Sequence, residues 1–163
     1  MAKWEMNTEK AEAKPAAEPQ TEAPEAARRG QLFDSASVLG MVAGLMMDSP
    51  MHQHLFLADV KWLVLPALAL QQYRIFRKDG VPVAYVSWAM LTEEAENRVK
   101  QGQMRLRPDE WKAGERSWVI DLVVPYGGQQ EILADIKKSV FEGKTLRAVS
   151  PASAGQGFSI VEL

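Results

Sequence analysis

The chain has 163 residues, 47 % of them hydrophobic and 25 % charged, with a formal net charge of −2. That is the length and balance of one globular domain, which excludes disorder along the whole chain and argues against a nucleic-acid binder, whose basic footprint is missing. Cysteine is absent, which removes disulfides, thiolate metal sites, iron–sulfur clusters and a thiol nucleophile, and leaves covalent chemistry to oxygen and nitrogen.

Residues 1–30 read as a flexible arm ahead of a domain at 31–163. From Asn7 to Arg29 the chain is mostly Ala, Glu, Lys, Pro, Gln and Thr, with Pro15, Pro19 and Pro24 near-regularly spaced. Such a segment has little apolar surface to set against its ordering entropy, and its prolines interrupt helix. Its start (Met1, Lys3, Trp4) lacks the apolar run of a secretory signal, and Glu5, Glu9, Glu12, Glu18, Glu22 and Glu25 do not suit a transit peptide. The expected location is therefore cytoplasmic. No internal repeat is visible, so the rest is expected to fold as one domain.

Leu32, Ala36, Leu39, Ala43 and Met46 recur at spacings of three and four, which predicts a helix over 32–47. Gly40 and Gly44 form a GxxxG pair, but the segment is too short for a bilayer span and carries Asp34. It reads as a buried helix that lets another element approach closely, stopped by Asp48-Ser49-Pro50. Residues 58–68 are apolar and ambiguous, interrupted by Pro66. Gln71–Lys78, Asp79-Gly80 and Val81–Met90 then predict a β-hairpin with a type I′ turn.

Thr92 is a suitable N-cap for a helix to about Gln101, with Glu93, Glu94 and Glu96 at its positive end and Gly102 beyond. Pro108–Trp111 predicts one further turn, closed near Gly114. Residues 116–124 predict a central strand covered on both sides, because apolar residues occupy both alternating faces. After Pro125-Tyr126-Gly127-Gly128 a helix is expected over Gln129–Phe141, then short strands at 146–149 and 158–161. Strand, helix, strand at this spacing predicts a right-handed crossover. The expected fold class is α/β with a mixed sheet.

The two histidines, His52 and His54, follow the proline that ends the first helix. Imidazole is the usual proton acceptor near neutral pH. His-x-His also suits a metal, yet no carboxylate or third histidine is spaced to complete such a site, so no metal is expected. Asp121 lies within Trp118-Val119-Ile120-Asp121-Leu122-Val123-Val124, and a carboxylate among apolar neighbours needs a partner. The candidates are a histidine from the early loop, Arg116, Arg74 or backbone amides. Ser49 is either a nucleophile or helix-end punctuation. The amides of Tyr126, Gly127 and Gly128 could serve an oxyanion or simply make a turn. Lys137-Lys138 reads as a solvated face, and Trp62, Trp88, Trp111 and Trp118 as core or as the wall of an acyl groove.

Several segments together resemble the RTX toxin-activating lysine acyltransferases, the haemolysin-activating C proteins. They are Leu39-Gly40, Ser49-Pro50-Met51-His52, Val64-Leu65-Pro66-Ala67, Gln72-Tyr73 and Pro82-Val83-Ala84-Tyr85-Val86-Ser87-Trp88-Ala89. Asp109-Glu110-Trp111 with Gly114-Glu115-Arg116, and Trp118-Val119-Ile120-Asp121 with Pro125-Tyr126-Gly127, complete the set. Order and spacing hold from about Val38 to Ala148, roughly two-thirds of the chain. The chain departs from the family pattern in its longer arm, and in ending soon after Phe158-Ser159-Ile160-Val161, where family members continue into a basic, helix-prone tail.

The resemblance implies a GNAT-like acyltransferase fold, with a mixed, mostly antiparallel sheet flanked by helices. It implies transfer of a fatty acyl group from acyl carrier protein to internal lysines of an RTX-type protoxin in the cytoplasm, by a homodimer without a tightly bound cofactor or stable membrane insertion. It places the family's essential histidine on His52, its essential aspartate on Asp121 and its motif serine on Ser49, and gives His54 no role. His52 is then expected to act as general base, or as a transient acyl acceptor, with Asp121 orienting it. Tyr126, Gly127 and Gly128 are expected to support the oxyanion. Two alternatives stand beside this. One is a coenzyme A-dependent GNAT-like acetyltransferase, disfavoured because no Arg or Lys adjoins the Gly-Gly turn; the other is a non-catalytic binding module retaining the fold.

Overall fold

A computed structural model describes residues 25–151 and 157–163 of the chain. Most of the expected arm therefore lies outside the described residues. The first helix, α1, runs from Glu25 to Asp48, so it begins within the last residues assigned to the arm, directly after Pro24. Its buried face is made by Val42, Leu45 and Met46, with Val38 and Leu39 partly covered, while Ala36 and Ala43 are exposed. This face is rotated from the expected stripe because the bulkier side chains, rather than the alanines, turn toward the sheet.

Five strands form one sheet in sequential order: β1 (Tyr73–Lys78), β2 (Val81–Leu91), β3 (Arg116–Val123), β4 (Leu146–Pro151) and β5 (Phe158–Glu162). Neighbours are antiparallel except β3 and β4, which are parallel and joined through helix α5 (Gln129–Ser139). The molecule is thus α/β with a mixed, mostly antiparallel sheet flanked by helices, consistent with a GNAT-like acyltransferase fold. The ambiguous segment after His52 becomes a 3₁₀ turn (Leu57–Asp59) and two short helices, α2 (Val60–Leu63) and α3 (Leu65–Leu70), with Pro66 in the first turn of α3 where a missing N–H costs nothing.

The hairpin forms as expected. Asp79 and Gly80 both have positive φ (51° and 82°), the requirement of a type I′ turn. Helix α4 (Glu93–Lys100) starts at Thr92, whose hydroxyl accepts the Ala95 N–H at 3.2 Å. Gly114 closes the following turn against β2, donating to the Met90 carbonyl at 2.9 Å; a Cβ there would collide with the Leu91 carbonyl. Among the described residues, no helix is long and apolar enough to cross a membrane.

β3 lies in the middle of the sheet with a packed layer on each face. On one side Trp118, Ile120 and Val123 join Tyr85, Ala89 and Leu91 under α1, α3 and α4. On the other, Val119 and Leu122 meet Val86, Trp88 and the α5 residues Leu133 and Ile136. This alternation is not regular. Ser87 pairs with Asp121, but the next β2 residue, Trp88, pairs with Val119, so Ile120 is an extra residue. Such a bulge resets the face on which later side chains emerge. Continuing the alternation from Trp118 and Ile120 would aim Asp121 at α5. With the bulge, Asp121 shares the α1 side with Val123.

Candidate active site

The loop after α1 folds back on itself. The N–H groups of His52 and Gln53 both bond to the Ser49 carbonyl, at 3.0 and 2.9 Å, and Pro50 between them stops α1 from continuing. This turn brings Ser49 Oγ to 2.7 Å from His52 Nδ1. The other ring nitrogen, Nε2, lies 2.8 Å from Asp121 Oδ1 on the bulged stretch of β3, across 69 positions of sequence. Both partners of that pair are about nine-tenths buried, with side-chain exposures of 10 % and 9 %.

The tautomer follows from the partners. A carboxylate only accepts, so the hydrogen of the long-range bond sits on Nε2 and is donated to Asp121. Nδ1 then keeps its lone pair and accepts the hydroxyl hydrogen of Ser49. Asp121 Oδ1 also accepts the N–H of Leu122 at 2.9 Å, which holds the carboxylate from its own strand. The open question of the Asp121 partner is thereby settled: it is His52, with one backbone amide. Arg74 binds Asp135 and Ser139, and Arg116 binds Glu93 and Glu96.

The remaining candidates fall differently. Tyr126 is exposed, and its hydroxyl donates to Asp48 Oδ2 at 2.5 Å. That hydrogen bond pushes the phenol up from its ordinary value, since ionising it would lose the bond and place two negative charges together. The Gly127 N–H is used inside its own turn, bonding to the Val124 carbonyl at 3.2 Å. It is therefore not a free oxyanion donor, which corrects one part of the expected amide set. Gly128 caps α5 with φ of 85°, leaving the first α5 amides without intrahelical partners, as at any helix start. His54 is exposed, and its side chain has one hydrogen-bond partner among the described residues, the Gln53 side chain at 3.4 Å.

The sequence reading missed two features. Asp48 joins the site region through Tyr126, a role signalled only by its place before Ser49. The second is an apolar rim: Met47 at the end of α1, Met51 and Phe56 on the loop that carries His52, and Leu57 at the start of the following 3₁₀ turn are 70, 74, 79 and 88 % exposed. A run of exposed apolar groups of this size marks a contact surface. The glycine pair of α1 also needs correction. Among the described residues, nothing beyond α1's own backbone lies within 4 Å of a Cβ built on Gly40 or Gly44. Instead of seating another element, they border an open depression of about 340 Å³ with Pro82, Asp48 and Tyr126. Of the four tryptophans considered above, Trp88 packs edge-on to Phe141, Trp111 and Trp118 are fully buried, and the partly buried Trp62 donates to Asp59.

A serine, an imidazole and a carboxylate joined in one hydrogen-bonded chain on an α/β sheet define a class of site suited to acyl transfer. The comparison with known proteins takes this further: the RTX toxin acyltransferase family (HlyC) matches residues 31–162, and the chain belongs to that family. It is 42 % identical over 96 residues to the RTX-II toxin-activating lysine-acyltransferase ApxIIC of Actinobacillus pleuropneumoniae, covering 59 % of this chain and 60 % of that protein. It is 37 % identical over 102 residues to the leukotoxin-activating lysine-acyltransferase LtxC of Aggregatibacter actinomycetemcomitans (63 and 61 %). To the protein-lysine myristoyltransferase RtxC of Kingella kingae it is 34 % identical over 111 residues (68 and 66 %). The matched stretch thus spans 60 to 66 % of these relatives' length.

Proposed function

We propose that this chain is a protein-lysine acyltransferase that moves a fatty acyl group from acyl carrier protein to the ε-amino group of internal lysines in an RTX-type protein. The observation that carries the reading is the Ser49–His52–Asp121 chain, with bonds of 2.7 and 2.8 Å. The names of the similar proteins, lysine acyltransferases and a lysine myristoyltransferase, support the acceptor and the fatty donor. The exposed Met51, Phe56 and Leu57 beside His52 suit an acyl chain better than an acetyl group.

The reaction exchanges a thioester for an amide. A free lysine amine is mostly protonated at neutral pH, its ordinary pKa being about 10.4. One proton must therefore first leave to solvent to free the nitrogen lone pair, and a base must take a second as the neutral nitrogen attacks the carbonyl carbon. His52 Nδ1 is the basic position, since Nε2 is committed to Asp121. The amine proton passes to Nδ1, directly or through the Ser49 hydroxyl, and the C–N bond forms. The tetrahedral intermediate then collapses, the C–S bond breaks, and the departing thiolate takes the proton back from Nδ1. Asp121 keeps the ring oriented and balances the charge of the transient imidazolium. The alternative role of His52, transient acyl acceptor, also uses Nδ1, and requires Ser49 to swing away. Supporting amides for the oxyanion come from Gly128 and the start of α5 rather than from Gly127.

The donor delivers both acyl group and thiol leaving group, so no tightly bound cofactor enters the proposal; a homodimer in the cytoplasm completes it. The test is mass spectrometry of a co-expressed RTX-type protein. Long-chain acyl-lysine appearing only when this chain is present supports the reading. A preference for acetyl-CoA over long-chain acyl carrier protein with the purified enzyme overturns it in favour of a coenzyme A-dependent acetyltransferase. No modification with either donor points to a binding module.

A further inference from the structure

The bulge that turns Asp121 toward α1 also places it among two hydroxyls. Ser87 is its direct partner across β2 and β3, and Tyr85 lies two positions away on the same face of β2. Tyr85 and Ser87 are fully buried, and Asp121 is 8 % exposed. Three polar atoms in this place, Asp121 Oδ2, Tyr85 Oη and Ser87 Oγ, are buried without a hydrogen-bond partner among the described residues. Buried polar groups are normally paired, so three orphans side by side call for an explanation. Their chemistry is complementary: two hydroxyl donors beside one carboxylate oxygen that can only accept. The groups also sense one another electrostatically. Burial pushes the Tyr85 phenol well above its ordinary range, the Ser87 hydroxyl opposes this, and the charge of Asp121 adds to it. Tyr85 therefore stays a neutral donor at any working pH.

We propose that Tyr85 and Ser87 are positioning residues of the transfer reaction, their hydroxyls closing onto Asp121 Oδ2, a bond not made in this structure, so that Oδ1 stays on His52 Nε2. The need is mechanical. The terminal torsion of an aspartate is broad and roughly two-fold, so a carboxylate held by one oxygen can turn and release the imidazole. Donors on the second oxygen fix the carboxylate plane, and through it the direction of Nδ1 toward Ser49 and the incoming amine. Outer partners of this kind orient the groups that carry the chemistry. The proposal rests on the assignment of His52 as the base.

The test uses the full chain with Tyr85→Phe, Ser87→Ala and the double variant, each checked by thermal melting. Tyr85→Phe removes only a hydroxyl and keeps the ring that packs 6.3 Å from Tyr73. The first readout is the downfield proton signal of His52 Nε2–H in its bond to Asp121; with two histidines in the chain, loss of the signal in His52→Ala assigns it. The second is steady-state acyl transfer. The expected result is an upfield move and broadening of the signal, a kcat about tenfold lower, and unchanged KM values, with melting close to wild type. An unmoved signal in the double variant overturns the proposal, including when kcat falls together with melting temperature, which would make the hydroxyls merely structural. If the wild-type chain shows no transfer, the proposed function fails, while the signal still decides whether the hydroxyls hold Asp121.

Discussion

Two buried carboxylates on the same domain are treated in opposite ways. Glu96, 4 % exposed on α4, receives the Trp118 indole N–H at 2.9 Å and contacts Lys100, Arg116 and Arg147 at 3.0, 3.0 and 3.3 Å. Both of its oxygens are engaged, and three cations surround it. Asp121, similarly buried, has no cation among the described residues. It has an imidazole and one backbone amide on Oδ1, and Oδ2 has no partner among the described residues. The first arrangement ties α4 to β3 and β4 and is finished. In the proposed mechanism the second leaves a negative charge to balance the positive charge that His52 gains on taking a proton from the acceptor amine. On the proposed function, the carboxylate saturated by permanent charges serves the fold and the one left short of charge serves the reaction.

The sharpest way to break this comparison is to remove each carboxylate in turn. His52→Ala and Asp121→Asn are expected to lower acyl transfer by about 10³-fold or more, measured by mass spectrometry of the acceptor. Asp121→Asn should meanwhile change unfolding free energy by less than about 1 kcal/mol, because it relieves an under-paired charge. Glu96→Ala should do the reverse. It is expected to destabilise by about 2 kcal/mol in urea melts, the penalty being softened because the cations it strands are partly exposed. Its kcat should stay within a few-fold of wild type.

Acid sharpens the contrast. Burial pushes the Glu96 carboxyl up, but hydrogen bonds from Trp118 and Lys100 and the charges of Lys100 and Arg147 outweigh it and hold the group below 4.5. A folded value below the unfolded one means that the native state binds fewer protons. The stabilisation is thus fully present above pH 4.5 and lost as pH falls through the lowered value. Melting temperature should drop over that window in the wild type and drop less in Glu96→Gln. The smallest effect belongs to Tyr126→Phe. Removing the hydroxyl that holds Asp48 should slow transfer slightly without moving the melting temperature.

The sequence was most legible where local chemistry decides structure. Asp79-Gly80 required its turn, Thr92 capped its helix, and the two-faced strand around Val119 had to be central. The site was half legible. That Asp121 needed a partner followed from its apolar neighbours, but the choice among His52, Arg74, Arg116 and amides depended on a bulge at Ile120 with no signature in residue type. The same reset of alternation put Tyr85, Ser87 and Asp121 on one face. The GxxxG pair misled because small residues permit close approach without requiring it. Gly127 misled because a turn consumed the amide that the Gly-Gly pattern seemed to offer.

The measurement that bears most directly on the account is the lysine acylation of a purified RTX-type protein incubated with long-chain acyl carrier protein and either the wild-type chain or His52→Ala. The account predicts acyl-lysine with the wild type and none above background with a folded His52→Ala protein. Equal acylation by both would show that the imidazole between Ser49 and Asp121 is not the base, and would remove the central claim.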